Sequence, residues 1–219
     1  MTGMLTLALE AATSIGSVAV LRDNELLASR EVAMRSGAEE HLLPAIDESL
    51  REAGATVRDL ARMVCGAGPG SFTSLRVSAS LAKGIAFAQG IPLYAVPSLA
   101  LIAGDASLGN GVYLAVLDAL RGDVFAAAYS RADDAVAELA PVRLVARDSL
   151  AREAARLQAT VVGPEERPRT NPRAANVVRL GAWLAQPPVP LAAWEPDYGR
   201  LAEAQVKWEQ AHGRPLPVS

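Results

Sequence analysis

Hydrophobic positions along the chain change period several times, and each change predicts an element. Leu5 to Leu9 is a short apolar run that stops at Glu10, and "GSVAVLRDNELLASREVA" sets a turn at Asp23-Asn24 between two strand-like runs. The opening therefore predicts a three-stranded meander. In "EEHLLPAIDESLREAG", Leu43, Ile46, Leu50 and Ala53 recur at helical spacing up to Gly54, and Pro44 marks the start of the helix or a bend in it. "ARMVCGAG" predicts a buried strand, residues 71–88 a helix, "IPLYAV" another strand, and "PSLALIAGDA" a helix opening on Pro97. From Val112, "VYLAVLDALRGDVFAAAYS" repeats the design of the opening, with Asp118 answering Glu10 and Gly122 answering Gly16. The residues match loosely, so two ordinary hairpins and a true duplication both account for the pattern. A strand over 142–145, a helix over 148–157, a strand over 160–162 and a helix over 171–185 follow. The proline-rich "QPPVPLAAWEPDYG" reads as extended, and the tail as an amphipathic helix with Leu201, Ala204 and Trp208 on one side.

Composition sharpens this picture at three points. With 219 residues, 51% of them hydrophobic, the chain can bury a large core in one domain or two small ones. A net charge of −3 gives no global basic field, so any nucleic acid would have to be met jointly with a partner. A single cysteine, Cys65, excludes an internal disulfide and a cysteine-based zinc site. The N-terminus lacks the basic start and long apolar run of a signal peptide, and no apolar stretch is long enough to span a bilayer, so the expected compartment is the cytoplasm.

The stretch with the strongest chemical suggestion is the glycine turn Gly66 to Gly70, which feeds a helix beginning Ser71, Phe72, Thr73. Backbone N–H groups and a helix N-terminus suit an anion, and a tight strand-to-helix turn capped by Ser71 or Thr73 is the competing reading. Neither a phosphate-loop lysine motif nor a nucleophile elbow is present, since Lys83 lies three turns into the helix and Ser71 is not in a G-x-S-x-G context. His41 and His212 are far apart, without a second histidine at helical spacing, and read as solvated or interface residues. Glu10 and Asp118, at strand ends, stand where an α/β fold places a general base or a cation ligand, although turn formation explains them equally. Glu10, Gly68, Gly70, Ser71 and Asp118 are therefore the candidates for a residual nucleotide or anion site.

The helix itself carries a stripe of small residues. Leu75, Ala79, Ala82 and Ala86 form one side, Val77, Leu81 and Ile85 another, and only Thr73, Arg76, Ser80 and Lys83 make a narrow polar line. Such a helix is buried on most sides, in its own core or against another subunit.

"GPGSFTSLRVSASLAKGIAFAQGIPLYAVPSLALIA" closely resembles the signature of the TsaB (YeaZ) family, GPGSFTGLRIGVATAKGLA followed by IPLVGVSSLEALA. The resemblance extends through "HLLPAIDESLREAG", through "DALRGDVFAA" where the family has DARRGEVYAA, and through "EPDYGRLAEAQVKWE". It implies an α/β fold of the actin, sugar-kinase and heat-shock ATPase superfamily, made of two ribonuclease-H-like halves with mixed sheets flanked by helices. Residues 1–105 would be the first half with dimerisation helices, 106–195 a smaller second half, and 196–219 a C-terminal helix packing back on the first. Three departures stand out: Glu10-Ala11 replaces Asp-Thr, Ser74 and Ser78 replace glycines, and Ala38 stands where the family has a histidine.

The implied role is that of a partner without catalytic residues, metal or cofactor. Proteins of this family pair with the catalytic paralogue TsaD. With the ATPase TsaE they serve transfer of threonylcarbamoyl from threonylcarbamoyl-adenylate to the adenosine 3′ of the anticodon in tRNAs reading codons that begin with A. A partner or dimer interface is expected at Leu43, Ile46, Leu50, Phe72, Leu75, Arg76, Ala79, Ala82, Lys83 and Ala86. Partners would be a TsaD-like paralogue, a TsaE-like ATPase, tRNA only within the complex, and a second copy when the chain is alone, with no membrane. The alternatives are a nucleotide-binding enzyme of the actin superfamily, a glycoprotease-like hydrolase, and a scaffold dimer with no tRNA role.

Overall fold

The computed structural model describes residues 3–34 and 41–199; the predicted tail helix and His212 lie outside them. The meander forms as expected, with β1 (Leu5–Glu10), β2 (Ile15–Arg22) and β3 (Glu25–Ala33) antiparallel in sequence. Its turn is closed by Asp23, which adopts positive φ and accepts the Met4 N–H on its side chain. The helix α1 (Leu42–Glu52) carries Pro44 in its first turn, where a missing N–H leaves no hydrogen bond unmade. Then β4 (Arg62–Gly66) pairs parallel with β1, α2 (Phe72–Gln89) returns over the sheet, and β5 (Leu93–Val96) pairs parallel with β4. Gly90 ends α2 in the left-handed conformation.

The short α3 (Ser98–Ala103) is buried at every residue. It leads to β6 (Gly111–Asp118), β7 (Asp123–Ala132) and β8 (Ala135–Ala146), a second antiparallel meander. After α4 (Leu150–Leu157), β9 (Thr160–Val162) pairs parallel with β6. The first sheet runs β3-β2-β1-β4-β5 and the second β8-β7-β6-β9. Meander, helix, parallel strand therefore occurs twice, and the repeat is a duplication of topology, not two unrelated hairpins. Among the described residues the second half lacks a counterpart of β5.

Two predicted elements differ. The strand expected over 142–145 is the end of the twelve-residue β8, whose register shifts opposite Ala126–Tyr129 and whose Pro141 interrupt the alternation a sequence reading needs. The helix expected over 171–185 is instead a 3-10 helix, Ala174–Arg179, followed by the single turn α5 (Gly181–Leu184). Asn176 spends its side-chain amide on the Leu101 carbonyl, 2.9 Å away, and the backbone bonds here close three residues apart, as in Leu180 N–H to Val177 O.

An apolar cluster joins the two sheets through α3: Leu99, Ile102, Leu117, Phe125, Tyr129 and Val177 meet there. Full burial of one such side chain contributes roughly 1.5–3 kcal/mol. A second cluster fills the space between the first sheet, α1 and α2, and a third lies between the second sheet and α4. No helix among the described residues is long and apolar enough to cross a membrane.

Candidate functional site

The glycine turn leaves β4 at Gly66 and reaches α2 at Phe72. Three of its N–H groups have partners within the chain. Ala67 donates to Val96 O at 2.8 Å, Ser71 to Ala12 O at 2.8 Å, and Gly68 to the Ser98 hydroxyl at 3.1 Å. Pro69 has none to give. The Ser98 N–H returns a bond to Gly68 O at 2.9 Å, tying the turn to the start of α3. Close approach requires these glycines. A Cβ on Gly66 would overlap the Glu10 carboxylate, one on Gly70 the Ala12 backbone, and one on Gly68, which has φ +86, the Asp197 carbonyl oxygen. Ser71 sits at the N-cap position, but its hydroxyl pairs with that of Ser74 at 3.0 Å and does not cap.

Glu10 fills the space beneath the turn. It is fully buried at the end of β1 and accepts from Ala12 N–H at 2.5 Å and from the Ser98 hydroxyl at 2.8 Å. Burial pushes its carboxyl up to about 7, against the opposing pull of these hydrogen bonds. Burial, and then the Glu10 charge, push the Cys65 thiol up to about 12, so it behaves as an inert core residue. Asp118, the matching residue at the end of β6, makes its contacts elsewhere. It is half-exposed, 3.4 Å from Arg147 Nη2, and the same guanidinium also meets Glu165 at 2.9 Å and Glu166 at 3.2 Å. Of the five residues expected at an anion site, Glu10 and Gly68 are joined through Ser98, Gly70 and Ser71 lie against Ala12, and Asp118 belongs to a separate ion cluster. Among the described residues no three His, Cys, Asp or Glu side chains come together as metal ligands.

The faces of the helices correct the interface expectation. Leu75, Ala79, Ala82 and Ala86 are buried in the chain's own core, as are Ile46 and Leu50 of α1. The small-residue stripe serves the close approach of α2 to β1 and β4, so these six residues cannot meet a partner directly. Leu43, Phe72 and Arg76 do face outward, with Lys83 partly covered because its Nζ donates to Trp194 O at 2.9 Å. Sequence reasoning missed Phe87, which is 80% exposed. The signal was available: Phe87 extends the polar line of Arg76 and Ser80 by two turns, and an aromatic there has no core to enter. Arg76 lies 5.2 Å over the Phe72 ring, a cation–π contact at the rim of this face. The helix α2 carries no acidic residue, whereas the outer side of α1 presents Asp47, paired with Arg51, and Glu48 and Glu52, both paired with Arg30.

A family model described as TsaD, tRNA N6-adenosine threonylcarbamoyltransferase, matches residues 31–177, more than half of the chain. The tRNA threonylcarbamoyladenosine biosynthesis protein TsaB of Bacillus subtilis (strain 168) is 26% identical over 226 residues, covering 94% of this chain and 98% of that one. The protein of the same name from Escherichia coli (strain K12) is 33% identical over 135 residues, 61% of this chain and 58% of its own. The chain belongs to the TsaB family. Its fold agrees: a solved protein described as having similarity to peptidase YeaZ from Pseudomonas aeruginosa superposes with a TM-score of 0.77 at 27% identity, covering 90% of this chain and all of that one.

The departures from the TsaB pattern are absorbed by the structure. The longer carboxylate of Glu10 reaches Ser98, and Ala11 beside it is fully buried, with no room for solvent. Ser78, where the family has glycine, buries its hydroxyl by donating to Leu75 O at 3.1 Å. Ser74 does so through Ser71. His41 takes the N-cap position of α1, and Ala38 lies outside the described residues.

Proposed function

We propose that the chain is a non-catalytic partner of a TsaD-like paralogue. With a TsaE-like ATPase it serves the transfer of threonylcarbamoyl from threonylcarbamoyl-adenylate to the adenosine 3′ of the anticodon in tRNAs that read codons beginning with A. The names of its relatives support the pathway. The outward face of α2 supports the partner role: Phe72, Arg76 and Phe87 stand exposed on a helix without acids. Such a face is complementary both to a paralogue built on the same helices and to a second copy of the chain. Covering Phe87 alone would contribute about 2 kcal/mol to association. Ala67, Gly68 and Ser71 spend their N–H groups internally, which argues against a phosphate cradle at the turn. In this reading Glu10, Gly68, Gly70, Ser71 and Asp118 are scaffold. With a net charge of −3, tRNA is met on a composite surface.

Reconstitution from purified components tests the role. Given tRNA, threonylcarbamoyl-adenylate and ATP, the expected product is none from this chain alone, little from the paralogue with the ATPase, and abundant from all three. Turnover by the chain alone, or undiminished product in its absence, overturns the assignment. The docking face has its own test in Phe87→Asp, which leaves the core intact. Calorimetry with the paralogue should show binding weakened about tenfold or more, equivalent to about 1.4 kcal/mol. Unchanged affinity would move the docking face elsewhere.

A further inference from the structure

The two halves, already joined by the apolar cluster around α3, are bridged by further contacts of the chain's own residues. At the end of the glycine turn the crossing segment is Val189–Gly199. It adds to the free edge of β5 through Val189 N–H to Leu93 O at 2.9 Å, takes the Lys83 ammonium on Trp194 O, and bonds the turn through Asp197 N–H to Ala67 O at 2.8 Å. Val189, Leu191 and Trp194 pack on the core of the first half. Tyr198 then lies 4.6 Å from the Phe72 ring, and Gly199, φ +71, is wedged between Pro69 of the first half and Phe125 of the second. A second set of contacts between the halves is polar. Arg131 of β7 donates to the Asp105 carbonyl, Arg173 joins Glu31 of β3 to Asp105, and Ala174 N–H donates to the Ser17 hydroxyl at 2.9 Å.

We propose that Val189–Gly199 is a clasp that fixes the angle between the two halves, making the molecule a single rigid platform and not a clamp that opens and closes. Gly199 is the pivot, since any side chain there would drive Phe125 and Pro69 apart. Tyr198 is the latch, because its ring holds the segment against α2 beside the docking face. The clasp covers the glycine turn as well, with the Asp197 N–H on Ala67 O and the Asp197 carbonyl against Gly68. This inference stands on contacts within the chain and does not depend on the identity of any partner.

Pulsed electron spin resonance on the full chain tests it, with nitroxides at Arg58→Cys in the first half and Arg152→Cys in the second, both exposed, while the buried Cys65 stays unlabelled. The parent should give one narrow distance distribution. Tyr198→Ala should broaden it and add a population at longer distance, and Tyr198→Phe, which keeps the ring, should leave it narrow. Phe72→Ala removes the other half of the ring contact and should broaden it too, which covers the case that Tyr198→Ala fails to fold. A broad or double distribution in the parent overturns the clasp. So does a distribution left narrow by the loss of either ring.

Discussion

Glu10 and Asp118 end the first strand of each half, in the same place of a repeated topology, and they have become different groups. Glu10 is sealed from water, and burial holds a proton on it up to about pH 7. Asp118 is half-exposed and shares Arg147 with two other carboxylates. The strand order explains where each stands but not what it is. In the first half the fifth strand β5 continues into α3, whose Ser98 hydroxyl comes down on the strand-end carboxylate, and the glycine turn closes over it. Among the described residues the second half has no fifth strand; β9 runs into the loop "GPEERPR", and Asp118 is left in reach of solvent. A duplicated fold thus repeats positions, and burial by the next element decides their chemistry.

Gly66→Ala should break the first half most severely. The new Cβ would overlap the Glu10 carboxylate, which is itself held by two hydrogen bonds and cannot leave without losing them. The expected loss is about 4 kcal/mol in urea unfolding. The cause is separable from the mere loss of a glycine. In a Glu10→Ala background the overlap disappears, and Gly66→Ala should then cost under about 1 kcal/mol. An equal cost in both backgrounds would mean that the carboxylate is not what the glycine accommodates.

The order of the elements was legible because periodicity carries it. The Leu5–Leu9 run, the Asp23 turn, the helix before Gly54 and the paired strands around Gly122 are all local signals, and they found the duplication as one of two open readings. What failed was set by distant contacts. The apolar stripe Leu75, Ala79, Ala82 and Ala86 is compatible with a core and with an interface, and only the position of β1 and β4 beneath it decides. The anion-like look of the turn was real in sequence, but Ser98, Ala12 and Asp197, from three other segments, consume or cover part of what it offers. The 3-10 helix at Ala174–Arg179 depends on Asn176 finding the Leu101 carbonyl 75 residues away. Departures from the family pattern were visible as residue types, but their satisfaction by Leu75 O and the Ser71 hydroxyl was not.

A second way to sharpen the comparison is pH. The ordinary value for Glu10 is 4.5 and the folded value about 7, so between these limits the folded state binds more protons than the unfolded one. Stability therefore falls as pH rises from about 4.5 to about 7 and is flat with respect to this group above that. The loss amounts to about 3 kcal/mol. Glu10→Gln keeps the shape and removes the ionisation, so its stability should exceed that of the parent at pH 8 and lose this slope. A parent slope that survives in Glu10→Gln would assign the effect to another group.

The smallest expected effect belongs to the second half. Asp118→Asn removes one of three carboxylates around Arg147, at the longest of the three distances, and water replaces what is lost. Its stability in urea at pH 7 should stay within about 0.5 kcal/mol of the parent. Arg147→Ala goes further, because Asp118, Glu165 and Glu166 would be left facing one another, but each keeps enough exposure for solvent to screen the repulsion. The expected loss is under about 1 kcal/mol, and it should shrink as salt is raised. A loss of 2 kcal/mol or more, insensitive to salt, would show that the second half holds its strand-end carboxylate as tightly as the first. The contrast between a sealed and an open position would then fail.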